Sequence, residues 1–441
     1  MSIEYSPLDF IIKNQQIFWR ENRKSFLRKI AFIALALQLL FVSNFSYLYG
    51  SLWGSNNRAH ALKVLSVDLD GGVISQSVKE AYDHLRGPGF PSLLEPAEGI
   101  VQSVSEAAEA VRDGTYWAAF VVHANASARL DQALKGGAAA KAYQASEATT
   151  YIWNEVRYPP FSDEMFESNF QLLAQTARQT YFRNHGQTAL RQLDATDEAA
   201  VQVLLNPIGA TGRNIMPTDN PTRLLYNTAS TVMPILQEFF FLLILNGLSD
   251  EMQINSKVPI RITSLFRVAF AVTYTFISSL GMMGYIWAFR ESWSVDARQF
   301  VLSWMVLWFL HQIHFLVIDT VSAFLPIPAL PFFLLTWIIL NLTSTVSPLE
   351  LNPVFYRWGY ALPANEAYTA LTDIWSNGAV PALYRALPIM GAWWLVGMGM
   401  AVYAHIHRCQ KASRPRLGLK SIRSSSTSET YASLSMYSSG R

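Results

Sequence analysis

Apolar positions fall into two regimes along this 441-residue chain. Ile30–Tyr49 is an unbroken run of 20 residues without a charge, and five more runs crowd the second half: Thr231–Leu248, Val268–Phe289, Phe300–Thr320, Ala323–Val346 and Ala386–His405. A membrane helix needs roughly 20 successive apolar residues, so the pattern predicts six spans, one followed by five. Glu238 interrupts the second span, and Pro326, Pro328 and Pro331 interrupt the fifth, which is expected to start late or kink because a proline removes a backbone donor.

Between the first and second spans lie 177 residues, Gly50–Tyr226, in which short apolar stretches alternate with helical patterns and turn signals. Ala61–Leu69, Tyr116–His123 and Thr149–Asn154 read as strands, and Val201–Leu205 as a last short one. Val73–Arg86, Val101–Arg112, Ala128–Leu134 and Phe161–Leu193 read as helices. Strands alternating with helices predict a mostly parallel sheet covered by helices. The fold class expected is therefore a membrane α-helical bundle of six spans with a large external α/β domain inserted after the first.

Charge sets the expected orientation. Lys13, Arg20, Arg23, Lys24, Arg28 and Lys29 precede the first span; Arg408, Lys411, Arg414, Arg416, Lys420 and Arg423 follow the last. The positive-inside rule puts both flanks in the cytosol, which an even number of spans allows. The insertion, with 14 basic and 19 acidic residues, then faces the lumen or outside. The resulting division is a cytosolic amphipathic segment (1–29), a first span (30–49), the external domain (50–226), a five-helix membrane domain (227–405) with an external aromatic loop at 347–385, and a basic, Ser-rich tail (406–441). Leu8, Ile11, Ile12, Phe18, Trp19, Asn22 and Phe26 recur near helical spacing and predict an interfacial helix. The Ser-rich tail after Arg423 is expected to be disordered.

Composition narrows the function classes. Charged residues are 15% and aromatic residues 13% of a near-neutral chain, which gives no case for nucleic acid or for global disorder. The one cysteine, Cys409, excludes an internal disulfide and is a candidate for palmitoylation near the inner leaflet. Nucleotide-hydrolase, serine-hydrolase and zinc-protease signatures are absent, no cofactor is implied, and ATP-driven work would need a separate subunit. Asn125-Ala126-Ser127 is a glycosylation sequon on the external side.

Two constellations carry candidate chemistry. Val67-Asp68-Leu69-Asp70-Gly71-Gly72 resembles the first motif of haloacid-dehalogenase phosphatases, with Asp68 as nucleophile and Asp70 as acid. It lacks that family's later lysine and paired acids, and the plainer reading is a strand-to-helix turn. Glu238, His311, His314 and Asp319 are ionisable groups within spans, where they are expensive and often functional. His311 and His314 share a helix face and could relay a proton or bind a metal. Interhelical hydrogen bonding is the alternative, and Asp319 could simply mark the membrane edge.

The whole arrangement resembles the fungal nitrosoguanidine-resistance family, which is similar to phage-infection-type proteins and to membrane subunits of type-2 ABC exporters. The resemblance rests on the domain order, on the Val67–Gly72 strand end, and on Phe355-Tyr356-Arg357-Trp358-Gly359-Tyr360-Ala361-Leu362-Pro363, followed by Asn365 and Glu366. It implies a transporter-like membrane protein involved in resistance to, or export of, toxic lipophilic molecules, with membrane lipids, lipophilic compounds, a second copy of the chain or a separate ATPase as partners. A non-transporting scaffold or regulator is the competing expectation. The aromatic loop itself is expected to dip into the outer leaflet, with Arg357 paired to a lipid phosphate or, as the structural option, to Glu366.

Overall fold

The computed structural model describes residues 7–436 apart from 98, 99 and 219, with side chains described between Trp19 and Ser413. It divides into two units, Met1–Gly50 and Ser51–Arg441. The first is made by one continuous helix, α1 (Pro7–Leu52), in which the basic amphipathic stretch runs into the apolar span with no break. Trp19 and Phe26 meet edge to face at 5.8 Å on it. The side chains of Leu8, Ile11, Ile12 and Phe18 lie outside the described residues.

The second unit begins with a five-stranded mixed sheet in the order β2-β1-β3-β4-β5. Its strands are β1 (Lys63–Asp68), β2 (Ser92–Leu94), β3 (Ala118–Val122), β4 (Thr149–Trp153) and β5 (Ala210–Asn214). β1 pairs in parallel with β2 and with β3, and β4 with β5, but β3 and β4 run antiparallel with Ala118 opposite Trp153. Successive side chains of a strand face opposite sides, and the packing obeys this. Val64, Ala118, Phe120, Tyr151 and Trp153 enter one core; Leu65, Val67, Ala119, Val121 and Ile152 enter the other. Helices α2 (Val73–Leu85), α4 (Ala126–Leu134) and α5 (Ser168–Gln192) cover the first face with Ile74, Val78, Leu130 and Phe170, while α3 (Val104–Arg112) covers the second with Ala107, Ala108 and Val111.

Val201–Leu205, expected to be a strand, instead ends a helix, α6 (Glu198–Leu205). The Asp197 carboxylate accepts the Ala199 N–H at 2.9 Å, an N-cap that commits the following residues to helix. The last strand is β5, whose sequence ATGRN has no apolar alternation and is specified by its partner β4.

Four further helices are long and apolar enough to cross a membrane, as is α1: α7 (Ala229–Glu251), α8 (Ile260–Ala288), α9 (Ala297–Phe324) and α12, which runs Leu383–Met436 and is apolar over Leu383–Ser413. A capping box between Asp296 and Gln299 starts α9. The backbone of the Ser-rich tail, expected to be disordered, continues α12 as far as Met436; its side chains lie outside the described residues. The fifth apolar run is split: its first residues end α9, the chain turns at Leu325–Ala329, and α10 covers only Leu330–Thr343. Prolines 326, 328 and 331 account for the break. At 14 residues, α10 spans roughly 21 Å, short of a roughly 30 Å hydrocarbon core.

The expected aromatic loop is largely an interior element. Helix α11 (Pro363–Trp375) buries Ala364, Glu366, Tyr368, Leu371 and Trp375. Trp375 packs on Trp293 and Tyr226 at 5.2 and 5.3 Å and donates to Ser303 Oγ at 2.9 Å. Tyr368 donates its hydroxyl to the Arg157 carbonyl at 3.1 Å and meets Tyr158 edge-on at 5.3 Å. So α11 is the piece on which the α/β domain sits against the bundle.

Candidate functional site

The polar residues inside the bundle form two groups. The first joins α7, α9 and α10. Glu238, His311 and His314 are fully buried. Glu238 Oε1 and His311 Nδ1 are 2.7 Å apart, and Trp337 Nε1 donates to His314 Nδ1 at 3.1 Å. His311 and His314 are one helical turn apart on α9, which brings both rings to the side facing α7 and α10. Glu238 Oε2, His311 Nε2 and His314 Nε2 are buried without a partner. Each such atom inside a low-dielectric bundle is costly to leave unpaired. A carboxyl and an imidazole at this separation hold a proton between them and can pass it on. No group of three or more His, Cys, Asp or Glu side chains with metal-binding geometry occurs among the described residues; the contacts of the two histidines run between helices, to Glu238 of α7 and Trp337 of α10.

The second group holds Asp319, five residues further along α9. Arg267 of α8 reaches it through Nε at 3.0 Å from Oδ2 and also through Nη2, while Arg408 of α12 donates to Oδ1 at 3.0 Å and to the Asp319 carbonyl at 3.1 Å. Asn246 of α7 accepts from Arg267 at 2.8 Å and donates to Ser322 at 3.2 Å. Asp319 is therefore a structural knot joining three helices, with α7 tied in through Asn246. Neither arginine was recognisable as a partner from sequence, because Arg267 sits just before one apolar run and Arg408 just after another; the one usable signal was that an acid within a span calls for a cation at equal depth.

Apolar space adjoins this knot. A cavity of about 210 Å³ between α8, α9 and α12 is walled by Val268, Ala271, Phe315, Leu316, Met398 and Val402, with Arg267, Asp319 and His405 at its polar end. Cys409 is buried, its sulfur 3.6 Å from His405 Nε2, so it is poorly placed for acylation.

Within the Phe355–Pro363 stretch, Tyr356 and Gly359 are buried while Phe355 and Trp358 are exposed by 69% and 41%. A side chain at Gly359 would meet Leu349 and Ser344 at 3.2–3.3 Å. Pro363 opens α11. Arg357 is exposed and does not pair with Glu366; Arg385 does, at 3.2 Å, with its guanidinium 5.1 Å from the Tyr360 ring. Burial pushes the Glu366 carboxyl up, against the pull of Arg385.

In the α/β domain, Asp68 and Asp70 are spent on a turn. Asp68 Oδ1 accepts the N–H groups of Asp70 (3.0 Å) and Gly71 (2.9 Å) and the Ser75 hydroxyl; Asp70 accepts the Ser127 N–H (2.9 Å) and hydroxyl (2.5 Å). Gly71 has φ +61°, and a side chain at Gly72 would lie 2.5 Å from Ser127 Oγ, so both glycines are demanded by the turn. Asn125 is exposed at the start of α4, but Ser127 of its sequon is buried in this network.

Sequence reading also missed the lock at the base of this domain. Buried Glu155 accepts from Thr218 N–H (3.1 Å) and hydroxyl (2.5 Å), from Asn214 (2.5 Å) and from Arg223, which also reaches Asp163 at 3.1 Å. Burial first, then Glu155, raises the Asp163 carboxyl to about 6, against the Trp153 hydrogen bond and Arg223.

The chain belongs to a family described as Protein of unknown function (DUF3533), whose model matches residues 33–399. No solved structure matches it.

Proposed function

We propose that this chain is a six-span, transporter-like membrane protein that lowers the burden of toxic lipophilic molecules, with proton exchange at Glu238 and His311 as its internal switch and no ATPase or hydrolase chemistry of its own. The observation that carries this reading is the buried Glu238–His311 pair, with His314 one turn away and three polar atoms unpartnered. The apolar cavity between α8, α9 and α12 supplies a place for a lipophilic guest. The likeness of Phe355–Pro363 and of the domain order to the fungal nitrosoguanidine-resistance proteins supports the resistance role. Expressing the chain in cells that lack it should raise tolerance of some compounds in a lipophilic panel and lower their accumulation. Glu238→Gln, which keeps a hydrogen-bond acceptor for His311, should remove most of that gain, about tenfold in efflux rate, at unchanged protein level. If wild type changes neither tolerance nor accumulation of any compound, or Glu238→Gln acts as wild type, the reading fails.

A regulator that transports nothing is the second reading. It draws on an open crevice of about 800 Å³ in the α/β domain, lined by Gly71, Ser75, Lys79, Arg86 and Glu95, which could seat a partner.

The reading places both termini in the cytosol and the α/β domain outside, in the plasma membrane or another secretory-pathway membrane. The fifth span is completed by the non-helical ends of α10. Leu330 lines a cavity with Arg408 at one end of the bundle, and Asn227 reaches the Thr345 carbonyl at 3.0 Å at the other. Ser127 and Cys409 are both buried, so exposed positions, Glu109 in the α/β domain and Gln410 beside Cys409, make better reporters. With Cys409→Ala as background, an impermeant maleimide on intact cells should label Glu109→Cys and miss Gln410→Cys. The opposite pattern would invert the orientation.

A further inference from the structure

Where α9 breaks at Leu325 before α10, the bundle opens a cavity of about 340 Å³ between α7, α9 and α12. It has two ends of different character. Phe239, Leu242, Leu243, Ile318 and Leu330 make an apolar wall; Asn246, Ser322, Arg408, Lys411 and Asp250 make a polar end. The Arg408 side chain is only 11% exposed. Its Nη2 is engaged by Asp319 and Ser322, yet its Nη1 is buried without a hydrogen-bond partner. The charges that meet here are Arg408 and Arg267 against one carboxylate, Asp319, with Lys411 and Asp250 across the opening. The balance is one positive charge, and the unpartnered guanidinium donor belongs to a residue that lines the cavity.

We propose that this cavity is a phospholipid site: the phosphate is held by Arg408 Nη1 and Lys411, and an acyl chain lies along Phe239, Leu242 and Leu243. A guanidinium with a spare N–H matches a phosphate oxygen, and a nearby ammonium adds a point charge. The apolar wall is what distinguishes a lipid from a free phosphate ion. Asp250, the acid lining the cavity, gives a headgroup amine a partner, so ethanolamine and serine headgroups are preferred to glycerol. This site stands apart from the Glu238–His311 pair, and the proposal does not depend on the transport reading.

Native mass spectrometry of the full chain in detergent tests it, with phosphatidylethanolamine, phosphatidylserine, phosphatidylglycerol and inorganic phosphate titrated separately. Retained adducts of the first two are expected, with phosphate alone not retained. Lys411→Ala and Leu243→Trp, both at exposed positions, should each weaken retention about tenfold, while Asp250→Asn should erase the preference over phosphatidylglycerol. Arg408→Gln should lose the adduct, and the two surface variants keep the test decisive if that protein folds poorly. Retention of inorganic phosphate in place of lipid would overturn the proposal, as would wild-type retention by both Lys411→Ala and Leu243→Trp or the absence of any phospholipid adduct.

Discussion

Asp319→Ala should cost this protein about 3–5 kcal/mol, because it leaves two guanidinium groups in the bundle without their shared counter-charge. Arg267 would keep only Asn246, and Arg408 only Ser322, among their described side-chain partners. A loss of this size is a large part of the stability of a folded domain. The expected result is protein that is made but elutes as aggregate in mild detergent, with little monodisperse material. Adding Arg267→Gln to Asp319→Ala should recover much of the folded fraction, since removing an opposite pair together is far milder than removing one member. Size-exclusion profiles of wild type, single and double variants decide the matter. A single variant as monodisperse as wild type would show that the knot contributes little.

Glu155→Ala should be the most damaging change in the α/β domain. It leaves the Thr218 N–H and hydroxyl, the Asn214 amide and Arg223 without the acceptor they converge on, at about 3–5 kcal/mol for a buried charge pair broken on one side. These donors lie on β5 and on the segment leading into α7, so the loss should appear as proteolytic cleavage between 214 and 225 at a temperature where wild type resists. Glu155→Gln, which keeps an acceptor but not the charge, should fall between the two. Asp163 reports independently: with the Glu155 charge gone its carboxyl should titrate below about 6, because burial and Glu167 are then all that raise it. An unchanged cleavage pattern would sink this account.

What was legible in the sequence was set by how local each signal is. The apolar runs announced the long helices because twenty residues of one character admit few other readings, and the strands β1, β3 and β4 announced themselves as compact apolar runs between turn residues. β5 was hidden because ATGRN is a strand by virtue of its neighbour, and Val201–Leu205 misled because a helix end and a buried strand look alike over five apolar residues. Glu238, His311 and His314 could be named as odd residues for a span, but their meeting across α7 and α9 depends on helix rotation that the sequence does not print. The partners of Asp319 come from positions 52 residues before and 89 after it, and no local pattern joins them. The Phe355–Pro363 stretch was conspicuous, yet reading it as a lipid-dipping loop missed α11, whose burial comes from the two bodies packed on either side of it.

The late position of α11 in the chain has a consequence for synthesis. Once Arg223 has been made, Glu155 and β5 have the partners described above, but Leu351, which enters the same core and whose carbonyl Arg58 reaches, comes later. The surface that carries Trp117, Arg157 and Tyr158 is still bare at that point, because Tyr368 is encoded some 140 residues later, after three more long apolar segments and α10. Contacts of such long sequence separation are slow to form, so an aromatic face stays uncovered while the rest of the chain is made. Biogenesis is thus the interval in which this chain is most exposed to misassembly, and a ribosome stalled between 226 and 363 would leave Tyr158 and Arg157 without the helix they rest upon.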